Sequence, residues 1–355
     1  MSSVQNVRVT RDDVRWEAEI RAEITSEALQ HYRKDALKHI GKTAQISGFR
    51  AGHVPADLLV RHFGEDTILR EAAEYAVKQE LPNILASEKL NIVEAPRVSI
   101  ETPKSDAPLA FTARAPLAPE VKLPDYKKLA AKANADKKAV TVTDDEHRET
   151  LTHFRRERAR VEKIEAGTLP EEAAAEVRKT EEKDLPELDD AFVKTLGYED
   201  ATQFHDKVRE HLTNEKELQA KSAHRATLLD ALVKDAKISY PALLRDYELD
   251  DMEARFQSDL ERVGKTLDSY LAETKKTREA VRSEWEEAAD KRARIRLVLA
   301  EVARQEHIEP DQARLARELE HAQKHYPASS PDSLRAHIAH ALRNEQVLEW
   351  LEKQS

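Results

Sequence analysis

VRWEAEIRAEITSEALQHYRKDALKHI, residues 14–40, changes its hydrophobic period in mid-stretch. From Val14 to Ile24 the apolar residues Val14, Trp16, Ala18, Ile20, Ala22 and Ile24 alternate strictly with Arg15, Glu17, Glu19, Arg21 and Glu23. A strand points successive side chains to opposite faces, so this alternation predicts a strand with one face buried and the other in water. From Ser26, read as an N-cap, the apolar positions Leu29, Tyr32, Ala36, Leu37 and Ile40 follow helical spacing instead. Neither element can hide its apolar face alone. Strand and helix must share a core, which makes this region α+β.

Working outward, Val4 to Thr10 is expected to pair with the strand across a turn at Arg11-Asp12-Asp13. A short helix from Pro55 to Gly64 uses proline near its first turn and glycine past its end. A longer one runs from Asp66 to Lys89, perturbed at Pro82, where a ring replaces a backbone donor. Ile92 to Glu101 and Leu109 to Ala115 read as a second strand pair. Residues 1–118 are thus expected to close into one small α+β domain.

Pro116, Pro119 and Pro124 mark an extended connector. Thr143 with Glu146 makes a capping box opening a helix that includes Leu151, Phe154, Ala159 and Val161. Ala166 to Lys183 is rich in Ala and Glu, with Leu169 and Val177 as its larger apolar side chains, and cannot bury a core of its own. It reads as a linker or an exposed helix. Beyond Leu185-Pro186-Glu187-Leu188 the pattern is helical throughout: Leu188 to Leu196, Ala201 to Ala236, Pro241 to Val263, Thr277 to Glu306, Pro310 to His325 and Ser333 to Lys353. The helical period is clear in Ile295, Val298, Leu299 and Val302, whereas the Ala201 helix has a sparse apolar stripe, and sparse stripes on long helices suggest arms exposed on more than one side. The expected fold class is α+β, predominantly α: a small α+β domain (1–118), a connector and linker helix (119–184), and an elongated helical domain with arms (185–355).

Composition agrees with long solvated helices: 35% of residues are charged, 5% aromatic, and only 7 are glycine. Without cysteine there is no disulfide framework and no thiolate nucleophile. The opening residues lack the apolar core of a secretory signal, and no apolar run approaches the ~18 residues of a membrane span. A cytoplasmic location is expected. The net charge of −10 repels nucleic acid overall, so any RNA contact must be local. Such a locality exists from Gln30 to His62, where Arg33, Lys34, Lys38, Lys42, Arg50 and Arg61 outnumber Asp35 and Asp57, with four histidines in addition.

Familiar catalytic patterns are missing. Gly41-Lys42-Thr43 resembles the end of a phosphate-binding loop, but Ala36 stands where its first glycine belongs. His321 and His325, at i and i+4, lack the glutamate of a zinc-protease helix, and His337 with His340 reads the same way, so neither pair is assigned a metal. No G-x-S-x-G elbow occurs. No catalytic residue, cofactor or metal is assigned.

One motif stands out. Gly48-Phe49-Arg50-Ala51-Gly52-His53-Val54-Pro55 lies between the first two helices. Gly48 and Gly52 permit a tight exposed loop and Pro55 restarts the helix. Phe49 can enter an apolar pocket and Arg50 can fork onto carboxylate or phosphate. Residue chemistry alone leaves a second reading equally open, in which Phe49 folds back into the domain core.

This octapeptide resembles the ribosome-binding signature G-F-R-x-G-K-x-P of bacterial trigger factors, in a similar setting between two helices. The likeness continues at Val140-Thr141-Val142-Thr143-Asp144-Asp145 and resumes at Leu185-Pro186-Glu187-Leu188-Asp189-Asp190-Ala191-Phe192. Two departures are visible. The prolyl isomerase domain of FK506-binding type usual in the family has no room in 166–183, since a domain needs at least ~50 residues. Also, His53 stands where the family usually has lysine, and histidine changes charge near neutral pH. The resemblance implies an ATP-independent chaperone. Its ribosome-binding residues would be Gly48, Phe49, Arg50, Gly52, His53 and Pro55, docking at the tunnel exit against large-subunit protein and ribosomal RNA. The implied partners are the ribosome, unfolded nascent polypeptides and, off the ribosome, a second copy in a homodimer; no membrane is implied. Prolyl isomerase activity is not expected. The rival from another class is a helical scaffold or adaptor that binds one folded partner. A degenerate isomerase is the third reading.

Overall fold

The computed structural model describes residues 3–44, 46, 49, 53–137, 139–327 and 330–355. β1 (Val4–Asp12) and β2 (Glu17–Ile24) form an antiparallel hairpin. The chain turns at residues 13–16, later than expected. Asp12 Oδ1 accepts the backbone N–H groups of Val14 and Arg15 at 3.0 and 2.9 Å, and these local bonds displace the strand ladder. Val14 therefore leaves the strand and is 95% exposed. Trp16 turns back to donate its indole N–H to the Ala118 carbonyl at 2.8 Å. From Ala18 onward the alternation holds, with Ala18, Ile20, Ala22 and Ile24 all buried.

Thr25, one residue before the expected cap, receives the Ala28 N–H on its side chain and starts α1 (Ser26–Thr43). α2 (Ala56–Phe63), α3 (Glu65–Ser87), β3 (Arg97–Ile100) and β4 (Leu109–Pro116) follow. The sheet is antiparallel with order β1-β2-β4-β3. Its buried face packs with Leu29 and Ala36 of α1 and with Ala72, Ala76, Leu81 and Ile84 of α3. α3 runs unbroken through Pro82, which costs one backbone donor while Leu81 and Ile84 hold the helix to the core. β3 is shorter than the expected 92–101 strand: Ile92 makes only an isolated bridge to Leu117, and Pro96 interrupts between them.

β5 (Glu120–Lys122) pairs with β6 (Lys237–Ser239) across more than a hundred residues of sequence, in strands too short for alternation to reveal. The connector does not stay extended. Asp125 caps α4 (Tyr126–Ala135) by accepting the Lys128 N–H. α5 (Asp144–Glu165) opens with the expected Thr143/Glu146 capping box. In α6 (Pro170–Lys179) the buried side chains are Ala173 and Val177, and Val177 joins Ala159 and Leu185 in a small shared cluster; Leu169 remains exposed. The Ala- and Glu-rich stretch is thus a helix that borrows the core of α5. Next come α7 (Asp190–Thr195), α8 (Ala201–Asp235), α9 (Ala242–Arg262), α10 (Leu267–Thr274), α11 (Arg278–Gln305), α12 (Gln312–His325) and α13 (Pro331–Leu351). The predominantly helical α+β class is therefore observed.

Packing divides the chain into two compact units: Met1–Pro124 with Asp235–His307, and Asp125–Lys234 with Ile308–Ser355. Within the first, α9 and α11 are tied by ions as well as by apolar contact. Glu248 and Glu253 of α9 are buried, and α11 supplies two arginines to each: Arg292 and Arg296 at 3.2 and 3.0 Å from Glu248, Arg278 and Arg282 at 2.5 and 2.6 Å from Glu253. Burial opposes ionisation of Glu253, yet the two guanidinium groups prevail and hold its carboxyl below the usual range.

Candidate functional site

The loop between α1 and α2 is pinned at both ends. Leu37, Ala44, Leu59 and Ile68 form a small core, and Ile46 and Val54 pack against it from opposite ends of the loop. Gly41 is buried in α1, and a Cβ there would stand 3.3 Å from Leu59 Cδ1. Gly41 thus serves the close approach of α2, which gives the Gly41-Lys42-Thr43 tripeptide a packing role in place of a phosphate cradle.

Between the anchors Phe49 is 42% exposed, and its N–H donates to the Ile46 carbonyl at 3.1 Å. Of the two readings left open by the sequence, the described geometry has the aromatic ring outside the small core. His53 is exposed, and Pro55 occupies the N-cap position of α2 with φ −58°. Gly48, Arg50 and Gly52 lie outside the described residues.

The surrounding positive charge is thinner than counting suggests. Arg33 forks onto Glu65 with hydrogen bonds of 2.7 and 2.8 Å, and Lys38 pairs with Asp35 at 2.9 Å. Glu65 lies just beyond the basic segment, so its neutralising effect could not be read from a local count. Lys34, Lys42 and Arg61 are exposed and carry no ion pair among the described residues. Lys42 ends α1 and Arg61 lies in α2, so both flank the loop.

Two apolar concavities lie away from the loop. In the second unit α5 and α8 enclose about 620 Å³ lined by Phe154, Leu196, Tyr198, Phe204, Val208 and Leu212. In the first, α3 and β3 enclose about 570 Å³ lined by Val77, Leu81, Pro82, Leu85, Val98 and Ile100. Neither was identified from sequence: their lining comes from elements distant in the chain or from residues read simply as core. Exposed apolar side chains also stand on the helices and their connections, including Leu218 and Val263 at 66% and 69% exposure. His321 and His325 sit with ring centroids 4.5 Å apart on α12. Among the described residues no group of three or more His, Cys, Asp or Glu is placed to hold a metal ion, and no helix is long and apolar enough to cross a membrane.

Comparison with known proteins bears directly on this arrangement. The family model described as bacterial trigger factor protein matches residues 6–154, and that for the bacterial trigger factor C-terminus matches 201–353. The trigger factor of Bacillus pumilus is 30% identical over 162 residues, covering 44% of this chain and 37% of that protein. That of Fusobacterium nucleatum is 31% identical over 147 residues, covering 41% and 33%. The aligned region therefore spans about a third of the length of these curated relatives. A solved structure of the trigger factor chaperone shares the fold with TM-score 0.54 and 16% identity, covering 99% of this chain and 100% of that one. Residues 155–200, between the two matched regions, comprise the end of α5, α6 and α7, whose buried side chains join neighbouring cores. No separately cored isomerase domain stands there, while the regions on either side carry the family's pattern over most of the sequence: the chain belongs to the bacterial trigger factor family.

Proposed function

We propose that this chain is an ATP-independent molecular chaperone of the cytoplasm that docks at the ribosomal tunnel exit and shields nascent polypeptides while they fold. The observation that carries the reading is the exposed Phe49, between two anchored loop ends and flanked by Lys42 and Arg61, which carry no ion pair among the described residues. An aromatic ring with adjacent cations suits a surface made of protein and RNA, where the ring fills an apolar pocket and the cations meet phosphate. In this reading Gly48, Gly52 and Pro55 shape the loop, and Phe49, Arg50 and His53 make the contact. Residues 1–118 form the ribosome-binding domain, 119–184 the connector and linker, and 185–355 the substrate-binding domain. The solved trigger factor chaperone of like fold is described by promiscuous substrate recognition in folding and assembly, and the scattered apolar exposure here suits the same use.

The test is ribosome co-sedimentation of the chain in which Phe49, Arg50 and His53 are replaced by Ala. Binding should fall at least about tenfold, as loss of a central aromatic or arginine anchor costs ~2 kcal/mol or more, with helical circular dichroism unchanged. Wild-type binding by the variant overturns the docking assignment. Stoichiometric capture of one folded protein, without delayed aggregation of unfolded ones, selects the scaffold reading instead.

A further inference from the structure

β3 is the last strand of its sheet, and among the described residues no strand pairs with its outer edge. Glu101 N–H donates to the Ala110 carbonyl at 3.0 Å, and the β3–β4 register places Ser99 opposite Thr112 and Arg97 opposite Arg114. In an antiparallel pair, residues that exchange hydrogen bonds alternate with residues whose N–H and C=O point away. Arg97, Ser99 and Glu101 therefore face β4, while the main-chain groups of Val98 and Ile100 face outward. The side chains of those same two residues line the groove against α3, together with Val77, Leu81 and Leu85. Across the groove Pro82 has no N–H for the Lys78 carbonyl, which therefore lacks its usual helical donor.

We infer that this edge and groove take an extended, uncharged, apolar polypeptide segment by strand addition. A fifth strand about 4.8 Å beyond β3 would pair with Val98 and Ile100 and drop alternate side chains onto α3. The charges around the site favour a segment without charge runs: Glu74 and Lys78 stand together at the groove, and Arg97 and Glu101 mark opposite ends of the strand. The opposite edge of the sheet is blunted. β1 carries a register shift between Gln5 and Arg8, with Asn6 at φ 56°, and exposes Arg8 and Arg11. A second copy of the chain fits β3 poorly as a stable occupant. The strand has four residues, between Pro96 and Pro103. Such an edge is about 13 Å long and would bury a few hundred Å², against the ~1,200 Å² of a stable interface. Brief, sequence-tolerant pairing with an unfolded chain is what so short an edge supports. The inference rests on the proposed chaperone reading only for the source of the segment.

The test uses the full chain and a fluorescein-labelled eight-residue peptide of alternating Val and Thr, followed by anisotropy. Val98→Pro removes an outward donor and leaves the β3–β4 bonds intact, and Leu85→Arg places a charge in the groove. Either should weaken binding at least tenfold, as should methylation of every peptide nitrogen, a comparison made on unaltered protein. Helical circular dichroism and ribosome co-sedimentation should not change. Equal affinity for the methylated peptide, or no binding of the parent peptide, overturns strand addition. A wild-type dimer dispersed by Val98→Pro makes the second copy the occupant and likewise overturns it. If peptide binding behaves as expected while wild-type chain neither holds unfolded clients nor sediments with ribosomes, the edge site stands and the proposed function falls.

Discussion

Glu146 shows what a single residue reveals in sequence and what it hides. Its capping of α5 with Thr143 is legible because both partners lie within one turn. Its second partner, Lys216, is 70 residues away on α8 and donates to both carboxylate oxygens, at 2.8 and 2.9 Å. No local pattern announces that contact. Chiefly through Lys216, and then through the Thr143 N–H and hydroxyl, the carboxyl is lowered to about 2. A carboxylate depressed in the folded state stabilises it above the ordinary value of ~4.3, and that contribution fades as pH falls through the folded value. Glu146→Gln should therefore speed amide exchange at the start of α5 near pH 7. The difference from wild type should shrink below about pH 4.3 and be gone near pH 2. A difference that persists undiminished into that range would mean Glu146 acts through packing and not through charge. Asp12 teaches the same lesson at the hairpin: strict alternation includes Val14, but a two-residue side-chain contact ends the strand first.

At the scale of elements, long helices were legible wherever apolar spacing or a cap was clear, as in α1, α5 and α11. The difficulty lay in helices whose faces do not look like faces. α9 buries Glu248 and Glu253, and their partners lie on α11 as Arg278 with Arg282 and Arg292 with Arg296, each pair at i, i+4 spacing. The interface between α9 and α11 is thus lined by ion pairs as well as by apolar side chains. α6 was hidden differently, since small alanines pack closely without announcing a core. With α6 filling the interval between the matched regions, the chain holds no separately cored element there that could enclose a proline. A prolyl peptide in its presence should exchange at the uncatalysed rate, with a time of ~10–100 s at 25 °C. Proline-specific acceleration above that background, proportional to protein concentration, would place an active site in the helical region and contradict this expectation.

At the scale of the molecule, the chain interleaves its two units, passing out of the first after Pro124, back at Asp235 and out again after His307. The β5–β6 pair sits just inside the first two crossings, so 125–234 leaves and re-enters the first unit at neighbouring strands. That long-range pairing was invisible in sequence. The sheet core and the small core between α1, α2 and α3 both draw their side chains from within residues 1–118. Trp16 reaches Ala118, and Ala118 N–H reaches the Asn91 carbonyl at 2.8 Å, so the last residues also close on the domain. Outside this core, Tyr247 donates to Glu94 at 3.0 Å in an exposed contact. Fragment 1–118 should accordingly fold alone and retain ribosome co-sedimentation, because the proposed docking uses only the loop and its anchors. The complementary fragment from Glu120 keeps β5–β6 and the helices, so it should lose the ribosome and still delay aggregation of an unfolded client. Exposed charge is screened within about 10 Å at 0.1 M salt, whereas apolar burial is not. Raising salt should therefore weaken sedimentation of the first fragment and leave the holding activity of the second. If instead holding activity falls with salt in parallel with ribosome binding, the helices capture clients by charge, and the apolar reading of their exposed side chains fails.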